Sequence, residues 1–148
     1  STGIQKHNLP SRVPGRGALV VQFGSEHNPL TLVLVHLSLS RKARMQQIEY
    51  VSELVSQYNH VILMGDLNCG AHSEEITMLL ERTKLTMPYS DLVTYPSWNP
   101  RIHLDHILVS EGIRINEVKV LEYPFSDHLP IAMEITVPQD ILMPKKAA

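Results

Sequence analysis

Four short polar groups interrupt apolar runs in this 148-residue chain. His36 follows Leu34-Val35, and Asp66 with Asn68 follows Val61-Ile62-Leu63-Met64-Gly65. Asp105 lies in His103-Leu104-Asp105-His106, and Ser126-Asp127-His128 precedes Leu129-Pro130. Aspartate is depleted from strand interiors, and burying an unpaired carboxylate is costly, so each placement demands a compensating cation or hydrogen-bond partner. A functional site is one source of that compensation. Taken singly, each group also has a structural explanation. Gly65-Asp66 can be a turn, His36 a satisfied histidine at a strand end, Asp105 a partner for Arg101 or Arg114, and Ser126-Asp127-His128 a capped turn. Their joint order carries the functional reading.

The elements that must position these residues follow from hydrophobic periodicity. Residues 1–17, rich in Pro, Gly, Ser and Arg, read as an entering loop rather than a packed element. Residues 17–23 and 29–36 are β-branched and leucine-rich around Gly24-Ser25-Glu26-His27-Asn28, which predicts a hairpin. After Ser40 as N-cap, Ile48, Val51, Val55 and Tyr58 recur at helical spacing, whereas Arg41, Lys42, Arg44, Gln46, Gln47 and Glu49 fall largely elsewhere. That is an amphipathic helix packed on a sheet. The nearly all-apolar run 60–65 predicts a central strand buried on both faces. Asp66-Leu67-Asn68 then sits at a strand's carboxyl end, the rim where α/β folds gather ligand sites. Ser73 with Glu75 and Ile76 opens a shorter helix to about residue 82. Residues 86–101, with Trp98, read as a long Pro-interrupted loop, and 102–109, 115–121 and 129–137 as three more strands. The expected organisation is one domain over 1–137 and a mobile terminal tail over 138–148.

Composition narrows the function classes. Thirteen basic and 15 acidic side chains leave a net charge of −2, and 43% of residues are hydrophobic, as in an ordinary globular domain. At this length roughly two-thirds of the unfolded surface can be buried. The single cysteine, Cys69, excludes an internal disulfide framework. No dense Lys/Arg run suggests non-specific capture of nucleic acid by counterion release. The longest apolar stretch, 30–39, is interrupted by Thr31, His36 and Ser38 and falls far short of the ~20 residues of a membrane helix. The first residues show neither an initiating Met nor the apolar core of a signal peptide, so the chain is expected to begin inside a longer product. A cytoplasmic location is the expectation.

In order and spacing, Leu34-Val35-His36-Leu37, Val61-Ile62-Leu63-Met64-Gly65-Asp66-Leu67-Asn68, Leu104-Asp105-His106-Ile107-Leu108-Val109-Ser110 and Phe125-Ser126-Asp127-His128-Leu129-Pro130 resemble the endonuclease/exonuclease/phosphatase superfamily of metal-dependent phosphohydrolases. The resemblance runs roughly from residue 17 to 137. It implies an α/β fold, half of a four-layer α/β/β/α sandwich with a mixed, largely antiparallel sheet flanked by helices. It further implies that His128 orients or deprotonates the attacking water while Asp105 fixes its tautomer. Asp66 would lie by the metal and the water, Asn68 would donate to a phosphate oxygen, and Asp127 would be a second metal-side carboxylate. His36 would bond the phosphate or assist the leaving group. Oxygen ligands suit Mg²⁺, with Mn²⁺ as substitute.

The resemblance also implies a missing part. The family's first half supplies an early Asn and a metal-gripping Glu, and neither has a counterpart here, since Glu26 falls in the hairpin loop and Glu49 on the helix. The expected partners are therefore a phosphate-ester substrate, nucleic acid among the candidates, and the N-terminal half in cis or as a second chain. Without that half the chain is expected to be inactive. A non-catalytic binding module of the same fold is the alternative. A dinuclear site of the calcineurin-like kind would need an early Asp-x-His and a Gly-Asn-His, and neither occurs. Of the remaining residues, His7, His27, His60 and His72 read as surface, Cys69 as incidental, and His103 and His106 as packing on the face opposite Asp105. Trp98, Tyr95 and Arg101 are candidates to line substrate access.

Overall fold

The computed structural model describes residues 3–12 and 14–141. A six-stranded sheet is built from β1 (Gly3–Asn8), β2 (Gly17–Phe23), β3 (Leu30–His36), β4 (His60–Asp66), β5 (Leu85–Thr86) and β6 (Asp105–Ser110), in the order β1-β2-β3-β4-β6-β5. Strands β3 and β4 run parallel through helix α1 (Arg41–Val55), the crossover that parallel neighbours need, and the other pairs are antiparallel. Helix α2 (Glu74–Arg82) follows β4, and β7 (Arg114–Val120) with β8 (Ile131–Thr136) forms a separate two-stranded sheet.

Period-two alternation sorts the large sheet into two faces. Val20, Val33, Val35, Leu63 and Leu108 share one buried cluster with Ile48 and Val51 of α1 and Ile76 and Leu79 of α2. On the opposite face Leu32, Met64 and Ile107 pack with Ile115, Met133 and Ile135 of the small sheet. This is the mixed, largely antiparallel α/β arrangement with flanking helices that the resemblance implies.

Several boundaries differ, each for a physical reason. Within residues 1–17, read as a loop, β1 pairs with β2 from Gly3↔Gln22 to Asn8↔Gly17. It is an edge strand whose residues Ile4, Gln5, Lys6 and Asn8 are exposed, so backbone pairing rather than burial defines it. Gln47, assigned to the polar side of the helix, is fully buried. Its amide donates to the Pro10 carbonyl and to Ser38 Oγ, both at 2.9 Å, and its Oε1 accepts the Ser38 N–H at 2.8 Å. The helix ends at Val55, so Tyr58 packs on the core from the turn beyond it. Strand β6 starts only at Asp105, and the predicted loop holds a Tyr95↔Ile102 bridge. Of the predicted tail, Ile141 is buried in the second cluster and Asp140 bonds His60 Nε2 at 2.8 Å, which also takes His60 off the open surface. Residues 142–148 lie outside the described residues. His7, likewise read as surface, meets the Tyr50 hydroxyl at 3.0 Å, while His27 and His72 are exposed.

Candidate active site

Three of the singled-out residues form a row across three adjacent strands. His36 on β3 is directly opposite Asp66 on β4, which is directly opposite Asp105 on β6. Directly paired residues share a sheet face, so the register alone gathers the three side chains. Gly65 makes the row possible. Its φ is +137°, and a Cβ there would stand 1.9 Å from the Val35 carbonyl oxygen. Only glycine lets β3 and β4 close up just before Asp66.

His128 reaches this row from the β7–β8 connection. The segment is zipped to the long loop before β6: Leu129 N–H donates to the Thr94 carbonyl at 2.9 Å, and Ser97 N–H donates to the Asp127 carbonyl at 2.8 Å. Ser97 Oγ donates to the Ser126 carbonyl at 2.6 Å. The Tyr95 ring lies over the imidazole with centroids 4.8 Å apart. Thus held, His128 Nδ1 is 2.7 Å from Asp105 Oδ2, an oxygen that also accepts from the Thr94 hydroxyl. A carboxylate only accepts, so Nδ1 carries the proton and the lone pair sits on Nε2. Nε2 faces Asp66 Oδ2 at 3.9 Å, and His36 Nε2 faces the same oxygen at 3.4 Å. Asp66 Oδ1 accepts the Asn68 N–H at 2.8 Å.

Electrostatics follows from this crowding. Burial pushes the Asp66 carboxyl above its ordinary value, with Asp105 adding to it, against the Asn68 N–H and the imidazoles of His128 and His36. For His128, burial pulls downward, but the hydrogen bond and charge of Asp105, with the charges of Asp66 and Asp127, outweigh it and raise the ring. One ligand atom each from Asp66, Asp105 and His128 lies within 4.8 Å of the others. Two hard carboxylates and an imidazole, one carboxyl already forced up, form a donor set that a divalent cation would fit and relieve.

The other candidates are placed as follows. Asn68 adopts the left-handed conformation at φ 50°, and its side-chain amide donates to the Leu37 carbonyl at 2.9 Å, tying the ends of β3 and β4. Asp127 is exposed, accepts from Ser126 Oγ at 3.1 Å and stands outside the Asp66–Asp105–His128 cluster. His103 and His106 are buried and stacked at 4.2 Å, with His106 Nε2 donating to the Cys69 carbonyl at 2.7 Å. Cys69 is buried, which pushes its thiol up. Trp98 is 74% exposed. Thr94 was not singled out from sequence, and nothing in a Pro-interrupted loop marks it. A depression of about 690 Å³ runs from His36, Asp66 and Asp105 to Lys6, Asn8 and Arg16.

No helix among the described residues is long and apolar enough to cross a membrane. Comparison with known proteins agrees with the fold. The chain resembles a mannosyl-6-phosphatase of Bacteroides thetaiotaomicron at 18% identity and a TM-score of 0.77, over 92% of this chain and 66% of that one. The human Nocturnin catalytic domain, solved with a sulfate anion, matches at 18% identity and 0.72, over 91% and 58%. A Neisseria 3′ phosphatase bound to a product DNA hairpin matches at 19% identity and 0.67, over 91% and 72%. The chain thus spans less than two thirds of the length of the first two. No curated protein matches it by sequence. The family model of the Endonuclease/Exonuclease/phosphatase family matches residues 9–128, a span that takes in His36, Asp66, Asp105 and His128, and the chain belongs to that family.

Proposed function

We propose that the protein hydrolyses phosphate esters, with His128 Nε2 taking a proton from the attacking water. The observation that carries this reading is the 2.7 Å bond from His128 Nδ1 to Asp105, which leaves the Nε2 lone pair facing the Asp66–His36 pair. Asp105 and the Thr94 hydroxyl hold the ring in that orientation, and the tilted Tyr95 ring packs against it. His36, exposed at the rim, contacts a phosphate oxygen or the leaving group. Asn68 orders the Asp66 carboxylate through its N–H. Asp66 and Asp105, with Asp127 acting through water, would hold Mg²⁺, or Mn²⁺ in its place, whose charge offsets that developing on the phosphoryl oxygens.

Two of the proteins that this chain resembles in structure are named as phosphatases, one a mannosyl-6-phosphatase and the other a 3′ phosphatase bound to a product DNA hairpin, which supports the phosphate-ester class. We read the activity as that of a longer protein or of a complex, because Leu34, 49% exposed, and Ile4, 64% exposed, leave apolar side chains of the large sheet open. The test is hydrolysis of bis(p-nitrophenyl) phosphate and p-nitrophenyl phosphate with and without Mg²⁺, by the longer protein or complex that contains this chain and by its His128→Ala and Asp66→Asn variants. Loss of about 10²-fold or more in each variant is expected. Metal-independent turnover, or full turnover in both variants, overturns the reading. Tight phosphate-ester binding without turnover would instead favour a binding module of the same fold.

A further inference from the structure

The chain is slightly acidic overall, yet one cavity concentrates positive charge. It measures about 700 Å³, lies between the β1–β2 loop and the start of α1, and is lined by Arg12, Arg16 and Lys42 with Ser11, Ser38 and Ser40. No carboxylate lines it, and among the described residues none of the three cations is in an ion pair. Neighbouring cations are treated differently: Arg44 is paired with Glu75 at 2.7 Å, and Arg41 is paired with Glu74. Like charges gathered without counter-charge repel, so the arrangement favours an anion between them.

The cavity is also built rather than incidental. Gln47, fully buried, ties both of its walls through the three hydrogen bonds to Pro10 and Ser38. A leucine there would serve core packing, and what the amide adds is the fixed position of the two segments bearing Arg12 and Ser38. The 15-residue helix α1 contributes in the same direction. It has no acidic residue in its first turn, and the Ser40 side chain makes no capping bond, so neither offsets its positive end beside Lys42. Finally, Arg16 lines both this cavity and the depression that contains His36, Asp66 and Asp105. Arg16 is therefore common to the two spaces.

We infer that Arg12, Arg16 and Lys42 form a second anion subsite that holds a further phosphate group of the substrate, so that the substrate carries at least two phosphates. This rests on the reading of the His36–Asp66–His128 site as one that acts on phosphate esters. A planar guanidinium suits the bidentate recognition of phosphate oxygens, and the Ser40 hydroxyl, which makes no capping bond, supplies a neutral donor. The preference is for a phosphate rather than an isolated carboxylate, because three cations exceed what a two-oxygen anion can engage.

The experiment is calorimetric binding to the full chain of the series pT, pTpT and pTpTpT, whose flexible backbone presents one to three phosphates. The wild-type protein and the Arg12→Gln/Lys42→Gln variant are compared. Wild type is expected to gain about tenfold or more in affinity when a second or third phosphate is added, and the double variant to lose that step. A wild-type series without a step, or a step retained in the double variant, overturns the inference. Inorganic phosphate is titrated in parallel. Saturable binding that the double variant abolishes, with no step in the series, would assign the cavity to a separate anion and so overturn the substrate statement. Because the readout is binding, it is independent of turnover: an affinity step in this chain, with no ester hydrolysed by the longer protein or complex that contains it, would leave the subsite standing and sink only the hydrolytic reading.

Discussion

His128 Nδ1 and Asp105 Oδ2 are 2.7 Å apart although 23 residues separate them in the chain, and the contact decides which imidazole nitrogen is basic. Asp105→Asn replaces an acceptor with an amide that can donate to Nδ1 and so favours the opposite tautomer. The expected result is a fall in kcat of about 10²–10⁴-fold with a smaller change in KM. Steady-state kinetics on bis(p-nitrophenyl) phosphate checks it, and an unchanged kcat would show that the pair is structural only.

Gly65 separates a permitted from a forbidden packing. In Gly65→Ala the new methyl would meet the Val35 carbonyl oxygen at 1.9 Å, on a backbone at φ +137°. Steric overlap and backbone strain together should destabilise the protein by about 3 kcal/mol or more, read from urea unfolding midpoints. Gly70 has open space where its Cβ would be, so Gly70→Ala should lie within about 0.5 kcal/mol of wild type.

The buried His106 makes the fold sensitive to acid. Burial first, with the neighbouring His103, lowers its pKa from 6.5 to about 4, against the bond to the Cys69 carbonyl. Between those values the unfolded chain binds more protons than the folded one. Stability is therefore full above pH 6.5 and falls as pH drops toward 4, by up to about 3 kcal/mol from this group. Unfolding midpoints recorded across that window should show the decline, and His106→Leu should flatten it. An equal slope in the variant would assign the effect to other groups.

Gln47→Leu keeps the side chain buried but leaves the Ser38 N–H and the Pro10 carbonyl without partners. A loss of about 1–3 kcal/mol is expected. Amide exchange at Ser38 should accelerate more than exchange in the centre of α1, because the lost bond is local. Uniform acceleration would instead indicate a general weakening of the core.

Hydrophobic periodicity by itself determined β2, β3 and α1, a continuous apolar run determined β4, and the Ser73 cap with Glu75 and Ile76 determined α2. The order of His36, Asp66, Asp105 and His128 was legible for a related reason: each interrupts a run that packing alone would keep apolar. Where burial and pattern part company, sequence reading failed. Edge strand β1 is exposed and held by backbone bonds, so it leaves no alternation to read. Gln47 looks like a surface residue until two distant segments are seen to converge on it. What only tertiary structure decided is register and convergence. Strand pairing sets His36, Asp66 and Asp105 in one row, and the zip between the Thr94–Ser97 segment and the Ser126–Leu129 segment swings His128 toward Asp105 while leaving Asp127 outside. The cation cavity is of the same kind, since Arg12, Arg16 and Lys42 meet only because a loop folds over the end of a helix. Local sequence encodes local periodicity, whereas the relative position of remote side chains is encoded in the packing of the whole.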